Sequence, residues 1–390
     1  MQASKVLFAL LRAAVCGQPV SEDIKAACTA EMLESVYHLA NRHDLAHLVG
    51  QAVSKMNLPE SDILKNCKQA AVMALGRYMR LEQEYNRTCQ VLESAQIPFM
   101  PLKGAVLRAY YPEPWMRTSC DVDILVRPED IDRAVAVLTK RLSYRDGGRA
   151  THDVTLYCPS GAHIELHFDL VEEGRANAAG AVLSRVWDDA SLRDGYRFWY
   201  EMSDAFFYFY HIAHMAKHFE TGGCGIRPFM DLWLLDNLTQ RNQPCRDKLL
   251  QSGRLLQFAE AARKLSRVWF DGEEMDASSQ RIERFLLQGG VYGSVDNRVA
   301  LKRREDNSQL RYLCSRVFAP YEKLKAYYPI LEKHRWLAPV MQVRRWFMLL
   351  KPDVFKMAKG ELSASRDMGV QETDGEGDLL KSLGIDSAAW

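Results

Sequence analysis

Two aspartates one residue apart give the clearest chemical signal in the sequence. Asp121 and Asp123 lie in the run Asp-Val-Asp-Ile-Leu-Val, whose aliphatic content is typical of a buried strand. Because successive side chains of a strand point to opposite faces, the two carboxylates share one face, while Val122 and Ile124 share the other. Paired carboxylate oxygens suit a hard divalent cation such as Mg²⁺. The run therefore predicts a metal-binding strand.

A third carboxylate, Glu165, follows in a second alternating stretch, residues 163–168. The alternating sets are Ile164, Leu166 and Phe168 on one face, and His163, Glu165 and His167 on the other. Residues 154–158 and this stretch flank Pro-Ser-Gly, which predicts a β-hairpin. If the second strand pairs beside the first, Glu165 joins the two aspartates as a metal ligand.

The histidines beside Glu165 leave a second interpretation open. His163, Glu165 and His167 share a strand face, and two imidazoles with a carboxylate can bind Zn²⁺ or another transition metal. Alternate spacing on a strand is much less diagnostic than the helical His-Glu-x-x-His arrangement. We therefore favour a carboxylate site for Mg²⁺ and expect His167 to orient Glu165 or a phosphate.

The acidic strand needs neighbouring elements to position it. Residues 97–102 predict a short strand that runs into Lys103 and Gly104, and residues 105–111 have helical character before Pro112 stops them. Downstream, Pro-Glu-Asp opens a predicted helix from Ile131. The run Gly-Gly-Arg-Ala-Thr-His-Asp, residues 147–153, predicts a turn. The order is thus strand, glycine turn, helix, acidic strand, helix and hairpin.

These residues resemble the uncharacterised nucleotidyltransferase family within the polymerase-beta-like superfamily. The resemblance is carried by Leu102-Lys103-Gly104, Tyr111-Pro112, Arg117, the 121–126 run and Ile164-Glu165-Leu166-His167. It implies a small mixed sheet with flanking helices and a nucleoside triphosphate (NTP) as substrate. It also implies two Mg²⁺ ions, with Asp121, Asp123 and Glu165 as catalytic and metal-binding residues.

The resemblance further implies how the triphosphate is held. Lys103 and Arg117 are the candidate cations that neutralise it, and backbone amides near Gly104 add donors. An exposed, solvated charge is the alternative for both cations. Lys103-Gly104 stands where most members have Gly-Ser. A lysine charge would therefore replace a serine hydroxyl at the phosphates.

A second stretch with chemical content is the aromatic run that ends at His218. His211, His214 and His218 are spaced i, i+3 and i+7, so they share one face of a helix. The family carries a similar helix followed by one with an early aspartate, here Asp231, which implies that His214 and His218 bind substrate. Core histidines bonded to backbone explain the spacing equally well. Asp231 is a candidate partner of these histidines, and an ion pair elsewhere is equally compatible with the sequence.

Composition limits the class of protein. Hydrophobic residues make up 47% and charged residues 26%, as in ordinary globular proteins. No apolar stretch approaches the roughly 20 residues of a membrane span, and the first 16 residues lack a convincing signal-peptide cleavage site. Nine cysteines without a Cys-x-x-Cys pair predict reduced thiols and a cytoplasmic location. A net charge of +1 argues against bulk nucleic-acid binding.

The predicted fold is α+β: a small mixed sheet between an N-terminal helical segment and a larger C-terminal helical lobe. The predicted boundaries are 1–94 for the N-terminal helices, 95–175 for the nucleotidyltransferase-like core, 176–355 for the helical lobe and 356–390 for a polar, flexible tail. The glycine-rich run 289–293 lacks the ending of a P-loop and predicts a loop. Interleaved aromatic and basic residues in 318–350 fit a nucleic-acid face or an amphipathic helix surface, and we favour the surface.

The functional hypothesis is Mg²⁺-dependent transfer of a nucleoside monophosphate from an NTP to a hydroxyl acceptor, which can be a small molecule, a protein or an RNA. Two alternatives stay open. The first is an inactive nucleotide-binding or protein-interaction module, for which the missing Gly-Ser is the argument. The second is a transition-metal hydrolase that uses the histidines.

Overall fold

A computed structural model shows helices on both sides of a five-stranded sheet. It describes residues 1–171, 177–238, 242–291 and 378–385, together with 293–349 apart from 295, 300, 302–317, 322, 323, 326, 327 and 329. Within these residues, no helix has the length and apolar character needed to cross a membrane. Every cysteine among them is a free thiol.

The chain begins with helices. They are α1 (Ala3–Val15), α2 (Glu22–Ala27), α3 (Ala30–Arg42), α4 (Ala46–Ser54) and α5 (Asp62–Ser94). The long helix α5 begins at a side-chain cap, because the Ser61 hydroxyl accepts a hydrogen bond from the Leu64 amide at 3.3 Å. This side-chain cap satisfies one of the amides that a helix N-terminus leaves unpaired.

The sheet and its helices follow. They are β1 (Phe99–Pro101), α6 (Lys103–Leu107), β2 (Asp121–Val126), α7 (Ile131–Leu142), β3 (Arg145–Arg149), β4 (Asp153–Tyr157) and β5 (His163–His167), with 3₁₀ turns at 108–110, 114–116 and 128–130. The strand order is β1-β2-β5-β4-β3. The pair β2–β5 is parallel and the other pairs are antiparallel, so the sheet is mixed as predicted.

The two faces of the sheet enter different hydrophobic cores. Val122, Ile124 and Val126 pack with α7 and the second half of α5, forming a core that we call the sheet core. Leu125 and Met100 belong to a larger helical core that contains residues from α1, α4 and the helices after the sheet. The predicted alternation along β2 is therefore confirmed, and the N-terminal and C-terminal helices share one core.

The chain after the sheet is mostly helical. Its elements are α8 (Ala178–Leu183), α9 (Val186–Asp189), β6 (Ser191–Leu192), β7 (Tyr200–Glu201), α10 (Asp204–Glu220), α11 (Arg227–Leu238), α12 (Gln243–Ser252), α13 (Leu256–Phe270), α14 (Ala277–Leu287), α15 (Ile330–Lys333) and α16 (Ala338–Leu349). The predicted loop at 289–293 contains a bridge between Gly290 and Gly293. Most of the predicted tail lies outside the described residues.

Two segments differ from the sequence predictions. Residues 145–149, which overlap the predicted turn, form the edge strand β3, and only 150–152 connect it to β4. A Cβ at Gly147 would lie 2.5 Å from the Tyr157 ring, so the glycine allows the close pairing that the pattern concealed. At the chain end, Leu379 and Ile385 are buried in the helical core, because this short stretch carries apolar side chains that the polar tail before it lacks.

Candidate active site

The acidic face comprises Asp121, Asp123, His163, Glu165 and His167, which project from one side of β2 and β5. The parallel register pairs Asp121 with His163 and Asp123 with Glu165. Because paired residues of neighbouring strands share a face, the three carboxylates predicted from sequence are brought together. Asp123 is 5% exposed, whereas Asp121 and Glu165 are half-buried. The acidic face therefore runs from a closed end to an open one.

Lys103 is the cation nearest to the acidic face. Its Nζ donates to Asp123 Oδ1 at 2.9 Å, and His167 Nε2 lies 2.8 Å from the same oxygen. Burial opposes ionisation of Asp123, but the Lys103 ammonium and the His167 hydrogen bond outweigh it and lower the pKa of the carboxyl. Lys103 adopts φ 41°, a left-handed conformation that is uncommon for a residue with a side chain. The chain thus places this ammonium at some conformational cost.

The other two carboxylates carry excess negative charge. Burial, Asp123 and Asp121 together raise the pKa of Glu165 to about 7. Burial and Asp123 likewise raise the pKa of Asp121. Like charges held in one place favour a cation that neutralises them.

The donor set of the acidic face fits divalent metal ions. Two groups each have ligand atoms within 4.8 Å of one another: Asp121, His163 and Glu165 at the open end, and Asp123, Glu165 and His167 at the closed end. We call them the outer triad and the inner triad. Carboxylate oxygens suit Mg²⁺, and each triad also offers one imidazole.

The loop between the 3₁₀ turn at 114–116 and β2 is hydrogen-bonded to the C-terminal helical lobe. Arg117 Nη2 and Nε lie 3.0 and 3.4 Å from the two carboxylate oxygens of Asp231, and the Tyr111 hydroxyl donates to Asp231 Oδ1 at 2.7 Å. The hydrogen-bonded partners of Asp231 are therefore Arg117 and Tyr111, and of the three candidate histidines His211 interacts with its charge. A Cβ at Gly104 would lie 2.8 Å from Arg117 Nη1, so this glycine admits the guanidinium. The predicted contact of Arg117 with a triphosphate stays a prediction.

A second carboxylate, that of Asp44 in the N-terminal helical segment, contacts the same loop. Asp44 Oδ1 accepts from Arg77 at 2.9 Å, and Asp44 Oδ2 accepts from the Thr118 hydroxyl at 2.7 Å. Arg227 Nη1 lies 3.7 Å from Asp44 Oδ2 and also donates to the Thr118 carbonyl. We call Asp44, Asp231, Arg77, Arg117 and Arg227 the ion-pair hub. It fixes the segment that leads into Asp121.

The histidines of α10 divide between two roles. His211 Nε2 lies 2.9 Å from the Pro228 carbonyl, a backbone contact that fits a structural histidine. His214 and His218 lie with their Nε2 atoms 3.1 Å apart, and both border the cleft above the acidic face. Burial and Lys103 lower the pKa of His214 far below its usual value, which favours the neutral imidazole. Substrate binding by His214 and His218 stays a prediction.

The acidic face opens into a cleft of about 470 Å³. The histidines of α10 border it opposite the sheet, and its lining also includes His43, Gly225 and Val291. His43 is 1% exposed, and neither ring nitrogen has a hydrogen-bond partner among the described residues. The volume falls in the usual range of small-molecule sites, roughly 300–1,000 Å³. The cleft can therefore hold a nucleotide-sized ligand against the carboxylates.

Sequence reasoning missed several of these lining residues. Arg227, Asp44 and Tyr210 border the cleft, yet none belongs to a recognisable motif. Tyr210 lies in the aromatic run before His211, where apolar burial was the simplest explanation. Arg227 directly precedes a proline at the start of α11, a position that signals only a helix start. The three come together through packing between elements far apart in the chain.

Comparison with known proteins identifies the class. The sequence profile of a family described as uncharacterised nucleotidyltransferase matches residues 30–271, which include the acidic face, the hub and the histidine helix. The match covers more than half of the chain, and the protein belongs to this family. Searches of curated proteins and of solved structures find no significant match. Family membership, the mixed sheet and the acidic cluster together indicate a nucleotidyltransferase with groups suited to a metal site.

Proposed function

We propose that the protein transfers a nucleoside monophosphate from an NTP to a hydroxyl acceptor, with release of pyrophosphate. The observation that carries this proposal is the convergence of three carboxylates on one face of β2 and β5, at the floor of a nucleotide-sized cleft. Phosphoryl chemistry needs positioning and charge neutralisation more than covalent catalysis, and divalent ions held by this face, together with the cations beside it, would supply both. The acceptor is a small molecule, a protein or an RNA.

The carboxylates would hold the divalent ions. Asp121, Asp123 and Glu165 would bind two ions, including the Mg²⁺ that accompanies the triphosphate. When bound, such ions polarise the α-phosphate and lower the pKa of the attacking hydroxyl. Burial and the aspartates raise the pKa of Glu165 to about 7, so its carboxylate can accept the proton of that hydroxyl.

The cations of the cleft would hold the triphosphate. Lys103 stands at the edge of the acidic face and borders the cleft, so its ammonium can serve both Asp123 and a phosphate oxygen. Arg117 contributes positive charge from the cleft wall while it remains paired with Asp231. His214 and His218 face the same space from α10 and can donate to the nucleotide or the acceptor. His167, bonded to Asp123, orients that carboxylate.

One contact favours the inactive module as a second candidate. Lys103 already pairs with Asp123, so an ammonium stands where a divalent ion would neutralise the carboxylate. In that case the protein would bind a nucleotide or a partner without transfer. The two functions differ in their need for Asp121 and Asp123.

Calorimetry with each of the four NTPs and Mg²⁺ tests the proposal. We expect one or more NTPs to bind the wild type, and we expect Asp121→Asn/Asp123→Asn to lose that binding. Asp132→Asn is the matched control, because this aspartate lies on α7 with 89% of its side chain exposed. Transfer of an α-labelled nucleotide to sugar, protein or RNA acceptors then identifies the reaction. The proposal fails if no NTP binds at millimolar concentration or if the double variant binds as well as wild type.

A further inference from the structure

The two triads of the acidic face differ in access. The inner triad contains Asp123 and His167, both about 5% exposed, whereas all three members of the outer triad are half-buried. Asp123 Oδ1 is already bonded to Lys103 and contacted by His167 Nε2. The outer triad is therefore the more exposed of the two, and an ion can bind it without displacing the Lys103 ammonium from Asp123.

The imidazole of His163 has few contacts outside the outer triad. Within the part of the chain that the structure describes, its side chain makes no hydrogen bond or ion pair, and its ring contacts only the Tyr157 ring, with centroids 6.3 Å apart. Its pairing with Asp121 across β2 and β5 keeps the imidazole beside the carboxylate. A histidine held in this way on an acidic face is available to bind a metal through nitrogen.

The ligand types decide which metal this triad prefers. Mg²⁺ is bound chiefly by one or two carboxylates, phosphates and water, and it rarely takes nitrogen. Imidazole ligands shift the preference towards first-row transition metals. The outer triad has two carboxylates and one imidazole, so it lacks the all-oxygen character of a magnesium site.

We propose that Asp121, His163 and Glu165 form a resident site for a first-row transition metal ion, with His163 as a nitrogen ligand and with selectivity over Mg²⁺. The inference rests on the proposed function only in assigning that ion to nucleotidyl transfer. Mg²⁺ then remains the ion that accompanies the triphosphate, and the two ions of the site differ in kind. His163 tunes the metal selectivity of the site.

Mn²⁺ is the most demanding test ion, because it binds most weakly in the divalent first-row series. Electron paramagnetic resonance measures its binding to the full chain without nucleotide, and calorimetry measures Mg²⁺ binding. We expect Mn²⁺ to bind at least about tenfold more tightly than Mg²⁺. Tenfold is the lower end of the change in metal affinity that usually results when residues around a metal ligand are altered. We also expect pulsed spectra of bound Mn²⁺ to show coupling to a ¹⁴N nucleus.

Variants of the two strand histidines assign that nitrogen. His163→Gln replaces the nitrogen ligand by an oxygen, so we expect ¹⁴N coupling and the preference for Mn²⁺ to disappear while Mg²⁺ binding persists. His163→Ala is a second variant that removes the ligand altogether, and circular dichroism checks the fold of both. His167→Gln is the matched control, since this histidine belongs to the inner triad; its spectrum should keep the coupling.

The proposal is overturned by equal binding of Mn²⁺ and Mg²⁺, by a wild-type spectrum without ¹⁴N coupling, or by coupling that His167→Gln removes and His163→Gln retains. Because these measurements contain no nucleotide, they separate the two proposals. NTP binding without nitrogen coupling contradicts only the proposed metal site. Nitrogen coupling without NTP binding contradicts only the proposed nucleotidyl transfer.

Discussion

Buried carboxylates occur in two neighbouring regions of this molecule, the acidic face and the ion-pair hub. In the hub, Asp44 and Asp231 meet three guanidinium groups. At the acidic face, the one ammonium paired with the three carboxylates among the described residues is that of Lys103, which contacts Asp123. Burial raises the pKa of a carboxyl in both places, but the Arg117 guanidinium reverses the effect at Asp231, whereas neighbouring aspartates reinforce it at Glu165.

The difference separates structural charge from charge that is left for a ligand. A hub carboxylate is satisfied within the protein, and its hydrogen bonds hold the loop before β2. The acidic face is not satisfied, because its negative charge exceeds the positive charge beside it. Such uncompensated sites are typical of functional positions, where stability is sacrificed for binding. We make three quantitative predictions, two from substitutions and one from pH; removing a carboxylate should lower stability in the hub and raise it at the acidic face.

The largest effect should come from the hub. Asp231→Ala leaves Arg117 buried without its partner, so we expect the free energy of unfolding to fall by about 3–5 kcal/mol. Urea denaturation measures it. Asp132→Ala, at an exposed position, should change stability by no more than about 0.5 kcal/mol.

A double variant sharpens this result. Arg117→Met/Asp231→Ala removes the unpaired charge as well, so part of the lost stability should return. A single variant as stable as wild type would show that the Arg117–Asp231 pair is not what holds the loop.

A smaller effect should appear on acidification. His43 and His47 lie beside the hub, and burial lowers the pKa of each from 6.5 to about 4, with Arg227 contributing in the same direction. The unfolded chain therefore binds protons at these histidines first, and folded stability falls as pH drops from 6.5 towards 4. Once the pH is below both the unfolded and the folded pKa, each histidine would have lowered the free energy of unfolding by about 3 kcal/mol.

Unfolding measured at pH 7, 6 and 5 checks this dependence. Protonation of the carboxylates in the hub also destabilises the folded protein at low pH. The contribution of His47 is therefore measured as the difference in the pH dependence of stability between wild type and His47→Gln. Glutamine can still donate to the Met116 carbonyl that His47 Nε2 contacts at 2.8 Å. The variant should lose less stability than wild type on acidification, and an identical slope would contradict the assignment.

The smallest effect should have the opposite sign. Glu165→Gln removes one of three like charges, so at pH 8 with a chelator we expect the free energy of unfolding to rise by about 1 kcal/mol. Thermal and urea unfolding measure it. Glu129→Gln is the control, because this glutamate is exposed and lies outside the acidic face. A loss of stability in Glu165→Gln would mean that the acidic face is balanced like the hub.

The local part of this architecture was predictable from the sequence. Alternation in residues 121–126 and 163–168 indicated two strands with acidic groups on one face, and the observed register confirms it. The start of α5 also depends on a local signal, because Ser61 is a common capping residue and its side chain caps the helix. These features depend on neighbouring residues, so a short stretch contains the information that specifies them.

The edge of the sheet was not predictable in this way. Strand β3 contains Gly147 and Gly148, which are typical of turns, and it is exposed along its length. It forms a strand because β4 offers backbone hydrogen bonds, and a bulge between Asp146 and Gly148 accommodates the register. Tertiary pairing overrode local propensity there.

The sequence by itself determined which residues carry the chemistry: three carboxylates and two histidines at alternate positions of two apolar strands. Only the tertiary structure decided which charges are satisfied. Arg117 and Asp231 lie 114 positions apart in the chain, and their pairing across two elements leaves the acidic face with Lys103 as its close cation. The physical reason is that alternation is a property of the local backbone, whereas charge balance depends on distances through space that only packing sets.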